Sequence, residues 1–222
     1  MANEKGVVVE FDFTALNGAE LLFDVTKGFL KDLDKIPLDA VTEARHLAGG
    51  NYQGALSELF ATVKTKKTAA KAAKDLAAVF AQALTAAVPK AVTPAFKNFV
   101  KALAEKGVKV VIATRADLES VKPAFEGLLG DKVVLYAETS QTYGCVKWDA
   151  WRRACAMNKL RNVATLAVTG SGFGVKSALL AGMGSVAVVN DHVAYQDFGG
   201  ADDVVKELNG TTARRVLEIL RI

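Results

Sequence analysis

The sequence predicts an α/β fold in which a parallel β-sheet core carries an all-helical insertion after its first strand. Three observations support this. Residues 6–14 form an apolar run that closes in polar residues, which indicates a buried strand. Residues 19–88 show apolar residues almost entirely at helical spacing. Beyond residue 94, short apolar runs alternate with helical segments of about 10–15 residues, a pattern typical of βαβ units.

Three apolar stripes define the helices of the insertion. Their members are Leu22, Val25, Phe29 and Leu33; Leu56, Leu59, Phe60 and Val63; and Leu76, Val79, Phe80 and Leu84. Pro89 and Pro94, with Thr93 as a helix cap between them, predict a hinge that returns the chain to the core. The predicted domains are therefore a core of residues 1–16 and 92–222 and a helical domain of residues 17–91.

Four further strands are predicted within "VKVVIAT", "KVVLYAE", "VATLAVT" and "SVAVV". Parallel strands end at a common edge of the sheet, where α/β proteins bind their ligands. Polar residues close three of the strands: Glu10 and Asp12 the first, Thr114 the second, and Thr169 with Gly170 a later one. We expect these residues to converge beneath the helical insertion.

Composition excludes several classes of function. The chain has 222 residues, 51% of them hydrophobic and 23% charged, which is an ordinary globular balance. The net charge of +4 is too small to indicate a nucleic-acid partner. No apolar run approaches the ~20 residues that span a membrane, and no signal-peptide pattern opens the chain. Cys145 and Cys155 fit neither a metal site nor a disulfide framework. A cytoplasmic location without membrane attachment is expected.

Three segments carry a resemblance to a known family. They are "IPLDAVTEARHLAGGNYQGALSELF", "FKNFVKALAEKGVKVVIATRADLESVKPAFEGL" and "GVKSALLAGMGSVAVVND". With the strand "VVVEFDFT" they resemble the haloacid dehalogenase (HAD) superfamily, in the branch of phosphoglycolate phosphatase and β-phosphoglucomutase. The resemblance covers residues 7–208. It implies a Rossmann-like core with a helical cap, and a hydrolase that acts on a small phosphorylated molecule.

The resemblance also implies roles for individual residues. The family pattern Asp-x-Asp-x-Thr falls on residues 10–14, so that Glu10 takes the position of the nucleophile and Asp12 that of the general acid. Thr114 takes the position that holds the phosphoryl oxygens. Further candidate phosphate contacts are Thr14, Arg115 and Ser171. The family binds Mg²⁺, which neutralises charge around the transferring group.

Three of the four catalytic positions depart from the family pattern. Glu10 is one methylene longer than the usual aspartate, and a misplacement of about 1 Å can cost roughly 100-fold in rate. Cys145 stands where a lysine is expected, and Lys147 is the candidate replacement. Thr169 and Gly170 stand where the family has acidic metal ligands. Glu10 and Asp12 are the remaining candidate ligands, too few to hold Mg²⁺ firmly.

These departures leave three functional readings. In the first, the phosphatase site is degenerate, weakly active or inactive, and binds phosphate or a phosphorylated metabolite. In the second, the protein is an active Mg²⁺-dependent phosphohydrolase that uses Glu10 and Asp12. In the third, it is a non-catalytic interaction protein whose cleft is filled by Phe11, Phe13 and Phe173. The glycine-rich "TGSGFG" is a further candidate for anion binding. The oligomeric state is not predicted.

Overall fold

A parallel sheet forms the centre of the computed structural model, which describes residues 4–139, 143 and 147–222. Its described strands lie in the order β3-β2-β1-β4-β5-β6, and all neighbours are parallel. This confirms the predicted α/β class. The strands are β1 (Gly6–Glu10), β2 (Lys109–Thr114), β3 (Val133–Ala137), β4 (Thr165–Thr169), β5 (Gly184–Val188) and β6 (Asp203–Val205).

The helices fall into an inserted group and a core group. Between β1 and β2 lie α1 (Phe11–Thr14), α2 (Gly18–Asp34), α3 (Ala40–Thr42), α4 (Tyr52–Val63), α5 (Ala69–Ala91) and α6 (Pro94–Glu105), with a π-helical turn at Glu43–Leu47. The later helices are α7 (Leu118–Val121), α8 (Trp148–Met157), α9 (Gly172–Leu180) and α10 (Gly210–Leu220). Short 3₁₀ turns cover Lys122–Phe125 and Asn162–Ala164.

The alternation of side chains along β1 explains how the sheet is covered on both faces. Val7 and Val9 point into one apolar cluster, which contains residues of α6 and α10. Val8 points to the opposite face and packs with Trp151 and Cys155 of α8. Strands buried on both faces are typical of parallel sheets. Trp148, at the start of the same helix, is 45% exposed.

The inserted helices α2, α4 and α5 pack on one another and join the core cluster below them. The ring of Phe13 in α1 lies 6.2 Å from that of Phe80 in α5, so apolar packing is continuous from the sheet into the insertion. Among the described residues, no single helix is both long and apolar enough to cross a membrane. The helices α5 and α6 satisfy that test only as a pair, with a bend of 81° between them.

Two local predictions are wrong. The first strand ends at Glu10, and residues 11–14 form a helical turn, in which the Thr14 hydroxyl donates to the Glu10 carbonyl oxygen at 2.7 Å. Pro89 does not mark the hinge but lies inside α5, which continues to Ala91. The predicted cap is confirmed, since the Thr93 hydroxyl accepts from the N–H of Phe96 at 3.2 Å.

Candidate functional site

The candidate site lies at the carboxyl edge of the sheet, where β1 separates β2 from β4. The strand order reverses at this point, which is where open α/β sheets form their ligand crevice. Glu10 ends β1 and pairs in register with Ala113, one residue before Thr114. Hydrogen bonds join Glu10 to Thr169 and Asp12 to Thr114. The predicted convergence of the strand ends is thereby confirmed.

Glu10 is a buried carboxyl group whose two oxygens have different surroundings. Its Oε2 accepts from the hydroxyl of Thr169 at 2.6 Å and from the N–H of Gly170 at 3.3 Å. Its Oε1 is buried and receives no hydrogen bond from the described residues. Burial raises the pKa of Glu10 from 4.5 to about 7, and the positive charge of Arg115 opposes this rise. The group therefore changes protonation near neutral pH.

Asp12 uses both of its oxygens within the protein. Its Oδ1 accepts from the hydroxyl of Thr114 at 2.5 Å, and its Oδ2 accepts from the backbone N–H of Arg115 at 2.8 Å. Burial raises the pKa of Asp12, and the charge of Arg115 again opposes the rise. The Thr114 hydroxyl also accepts from the N–H of Ala116 at 3.1 Å. Glu10 and Asp12, the two carboxyl groups that the resemblance assigns to catalysis, therefore both accept hydrogen bonds from within the protein.

Arg115 places its guanidinium group among the carboxylates. Its side chain is 7% exposed, and Nη1 lies 3.8 Å from Oδ2 of Asp12. The guanidinium carbon lies 5.3 Å from the centre of the Phe13 ring, a cation–π distance. The charges of Glu10 and of Glu138, at the end of β3, also act on it. We call Glu10, Asp12, Arg115 and Glu138 the arginine cluster.

The cavity that the described residues form beside this cluster is small. The cavity lined by its four members has a volume of about 10 Å³, and its other walls are Val8, Ala113, Ala150, Trp151 and Ala154. A cavity needs a volume of roughly 10–15 Å³ to hold a single water molecule. The cavity therefore holds about one water molecule and has no room for a phosphate group.

The remaining predicted phosphate contacts have local structural partners. The Thr14 hydroxyl donates to a backbone carbonyl within its own helical turn. Ser171 is buried, and its hydroxyl caps α9 by accepting from the N–H of Gly174 at 2.9 Å. In the glycine-rich turn, the N–H of Gly172 donates to the side-chain oxygen of Gln196 at 2.8 Å. These N–H groups of "TGSGFG" therefore already have acceptors within the protein.

Lys147 is exposed at the N-cap position of α8 and does not line the cavity beside the carboxylates. Cys145, the residue that it was predicted to replace, lies outside the described residues. The structure therefore does not bring Lys147 together with the other candidate catalytic residues.

The three phenylalanines expected to fill the cleft have separate locations. Phe11 packs edge-on against Phe96 and Phe125 within the core. Phe173 is 41% exposed. Of the three, only Phe13 contacts the arginine cluster, through its ring.

Sequence reasoning missed Glu138 and Tyr52. Glu138 follows the last residue of β3, and its backbone N–H donates to the Thr114 carbonyl at 2.8 Å. A polar residue at a strand end was a readable signal, and "KVVLYAE" contains it. Tyr52 belongs to α4, yet it interacts electrostatically with Arg115. That interaction joins residues that are distant in sequence, so no local sequence pattern predicts it.

Comparison with known proteins identifies the fold. No family model matches the sequence, and no curated protein matches it at a significant level. Among solved structures, a β-phosphoglucomutase from Clostridium difficile matches with a TM-score of 0.72 at 12% identity, over 98% of this chain and 97% of that one.

Two more solved structures are similar to this chain over nearly its whole length. A phosphonoacetaldehyde hydrolase-like protein from Oleispira antarctica has a TM-score of 0.69 at 15% identity, covering 99% of this chain and 94% of that one. A HAD hydrolase from Entamoeba histolytica has a TM-score of 0.68 at 15% identity, covering 98% and 100%. The chain therefore has the fold of the HAD hydrolases, a parallel Rossmann-like core with cap helices.

Proposed function

We propose that this protein is a non-catalytic HAD-fold protein whose former phosphoryl-transfer site is closed by its own arginine. The observation that carries the proposal is the guanidinium group of Arg115, buried 3.8 Å from Asp12 among the strand-end carboxylates. In this reading the arginine cluster is a structural element. The protein acts through binding rather than hydrolysis.

Charge and space both support the proposal. Catalysis of phosphoryl transfer depends on preorganised positive charge around a bound phosphoryl group. Here the positive charge of Arg115 is already directed to Asp12, and about 10 Å³ is open beside it. Admitting a phosphate group would require Arg115 to leave its carboxylate partners, which breaks a buried ion pair at a cost of about 3–5 kcal/mol.

The residues present also fit Mg²⁺ poorly. This ion requires near-octahedral oxygen ligands and retains several water molecules. In the described part of the chain, no three or more His, Cys, Asp or Glu side chains are arranged so that they could hold a metal ion, and this includes the carboxylates of the arginine cluster. Gly170 provides no side-chain oxygen, and a Cβ atom at that position would overlap the carbonyl oxygen of Phe13. An acidic ligand at residue 170 would therefore require α1 to move.

Glu10 is poorly suited to act as a nucleophile. Its pKa of about 7 leaves a large fraction protonated at neutral pH, and a protonated carboxyl group does not attack phosphorus. When the group is ionised, its charge is shared by both oxygens, and one of them, Oε2, is engaged in hydrogen bonds from Thr169 and Gly170. The raised pKa of Glu10 and its internal hydrogen bonds argue against an active phosphohydrolase that uses Glu10 and Asp12 as catalytic residues.

A phosphatase assay tests the proposal directly. Hydrolysis of p-nitrophenyl phosphate is measured with and without Mg²⁺ for the wild type, Glu10→Ala and Asp12→Asn, with circular dichroism to confirm folding. We expect no Mg²⁺-dependent hydrolysis in the wild type above the level of the two variants. Hydrolysis that requires Mg²⁺ and disappears in Glu10→Ala would overturn the proposal.

A further inference from the structure

A second cavity lies between the inserted helices and the core, and consists of two adjoining chambers. The smaller, of about 30 Å³, is lined by Glu43, Tyr143, His192 and Tyr195, among others. The larger, of about 230 Å³, is lined by Ala44, Phe173, Lys176 and Asp197, among others. Both chambers share Ala48, Tyr195 and Gln196 as walls. We call the pair the insertion–core cleft.

Glu43 is the charged group of the smaller chamber. It begins the π-helical turn Glu43–Leu47, a type of distortion that is frequent at functional sites. No hydrogen bond or ion pair reaches its carboxylate from the residues that the structure describes, and burial raises its pKa to about 7. A partly buried carboxylate without a partner is costly, because desolvation is uncompensated. The partner that such a carboxylate favours is a positive charge.

The groups around Glu43 are mainly aromatic. Burial and then the negative charge of Glu43 raise the pKa of the Tyr143 hydroxyl, and the same two causes contribute at Tyr195. The carboxylate and both rings line the same chamber. The Tyr143 hydroxyl donates to Thr26 at 3.0 Å, while the His192 ring contacts that of Phe23. A carboxylate beside aromatic rings is the chemistry that recognises organic ammonium ions.

The larger chamber does not favour an anion. Lys176 is its basic residue, and Nζ lies 3.1 Å from a carboxylate oxygen of Asp197. The pair is largely exposed and neutral overall. Phe173 and Tyr195 supply apolar surface in the same chamber. A ligand that extends from Glu43 into this space would rest its carbon chain on these rings.

We propose that the insertion–core cleft binds a small primary amine. The ammonium group occupies the smaller chamber next to Glu43, and the carbon chain lies in the larger chamber. About 30 Å³ accommodates an ammonium head and about one further water molecule. The site shares Phe13 with the surroundings of the arginine cluster but none of the cluster's charged groups. The proposed amine binding can therefore be tested independently of the proposed loss of catalysis.

An NMR titration of the ¹⁵N-labelled full chain tests this proposal. The probes are n-butylamine, its neutral isostere 1-butanol, and inorganic phosphate. We expect n-butylamine to give saturable shifts of cleft residues with a millimolar dissociation constant, as is usual for so small a ligand. We expect 1-butanol to bind roughly tenfold more weakly or not at all, because it lacks the charge.

A pair of matched variants assigns the binding to Glu43. Glu43→Gln keeps the shape of the side chain and should weaken n-butylamine binding by roughly tenfold or more. Glu58→Gln removes the same charge from an exposed position of α4 and should leave binding unchanged. Any of three results would overturn the proposal: no saturable amine binding in the wild type, equal binding of amine and alcohol, or phosphate as the favoured ligand. Unchanged amine affinity in folded Glu43→Gln would overturn it as well.

Discussion

Replacing Glu10 by glutamine should make the protein's stability less dependent on pH. Glu10 is buried, and its pKa is raised from 4.5 to about 7 in the folded state. Between these values the folded protein binds more protons at this residue than the unfolded chain does. Stability from this group is therefore complete in acid and falls as pH rises through about 7.

The magnitude follows from the pKa difference. Because the pKa rises from 4.5 to about 7, about 3 kcal/mol of unfolding free energy is lost between acid and alkaline conditions. Glutamine resembles the protonated acid in shape and has no charge to desolvate. Glu10→Gln should therefore match the wild type near pH 4 and exceed its stability by about 3 kcal/mol near pH 8.

Urea denaturation followed by circular dichroism, repeated across this pH range, measures the effect. The quantity of interest is the difference between the two proteins, because groups that do not interact with Glu10 contribute equally to both curves. Glu43→Gln serves as a second comparison, since burial also raises the pKa of Glu43 to about 7. Parallel curves for the wild type and Glu10→Gln would show that Glu10 keeps an ordinary pKa, and would refute the reasoning.

Two further predictions concern the same site. Arg115→Met removes the guanidinium group and leaves Asp12 buried without its countercharge, so the unfolding free energy should fall by about 3–5 kcal/mol. Adding Asp12→Asn should recover part of that loss. If the effects of the two substitutions on urea denaturation are strictly additive, the two residues are not coupled and the prediction is wrong. Gly170→Ala places a methyl group onto the Phe13 carbonyl and should cost at least about 1–3 kcal/mol. An unchanged thermal midpoint for Gly170→Ala would disprove this tight approach.

The layout of the core was predictable because strands appear as short apolar runs and helices as apolar residues at helical spacing. The strand ends at Glu10, Thr114 and Thr169 were placed together by one topological rule, that parallel strands end at a common edge. Local signals also located the cap at Thr93. What the periods could not show was the helical turn at residues 11–14, because the alternating "FDFT" fits a strand equally well.

The two C-terminal elements differ in how strongly the sequence predicts them. Strand β6 has three residues at the sheet edge, too few for a pattern. The helix α10 is different, since Asn209 caps it and apolar residues recur at helical spacing at Ala213, Val216, Leu217 and Leu220. Helix start signals of this kind can be read from sequence alone.

The position of Arg115 could not be predicted, because its burial depends on partners that distant strands supply. An arginine after a strand is usually a surface residue, and arginine is seldom fully buried unless it is paired. Here Asp12 and Glu138 come from the ends of β1 and β3 on either side of β2. Only the folded sheet brings the three together.

The unusual residues of the site are mutually dependent. The longer side chain of Glu10 carries its carboxylate to the hydroxyl of Thr169 on the neighbouring strand. Gly170, without a side chain, lets the Phe13 carbonyl approach, and the Phe13 ring in turn lies against the Arg115 guanidinium. Arg115 then supplies the positive charge that the buried carboxylates require. Because each residue fits only with the others, Glu10→Asp or Gly170→Asp alone should disturb the packing rather than create phosphatase activity.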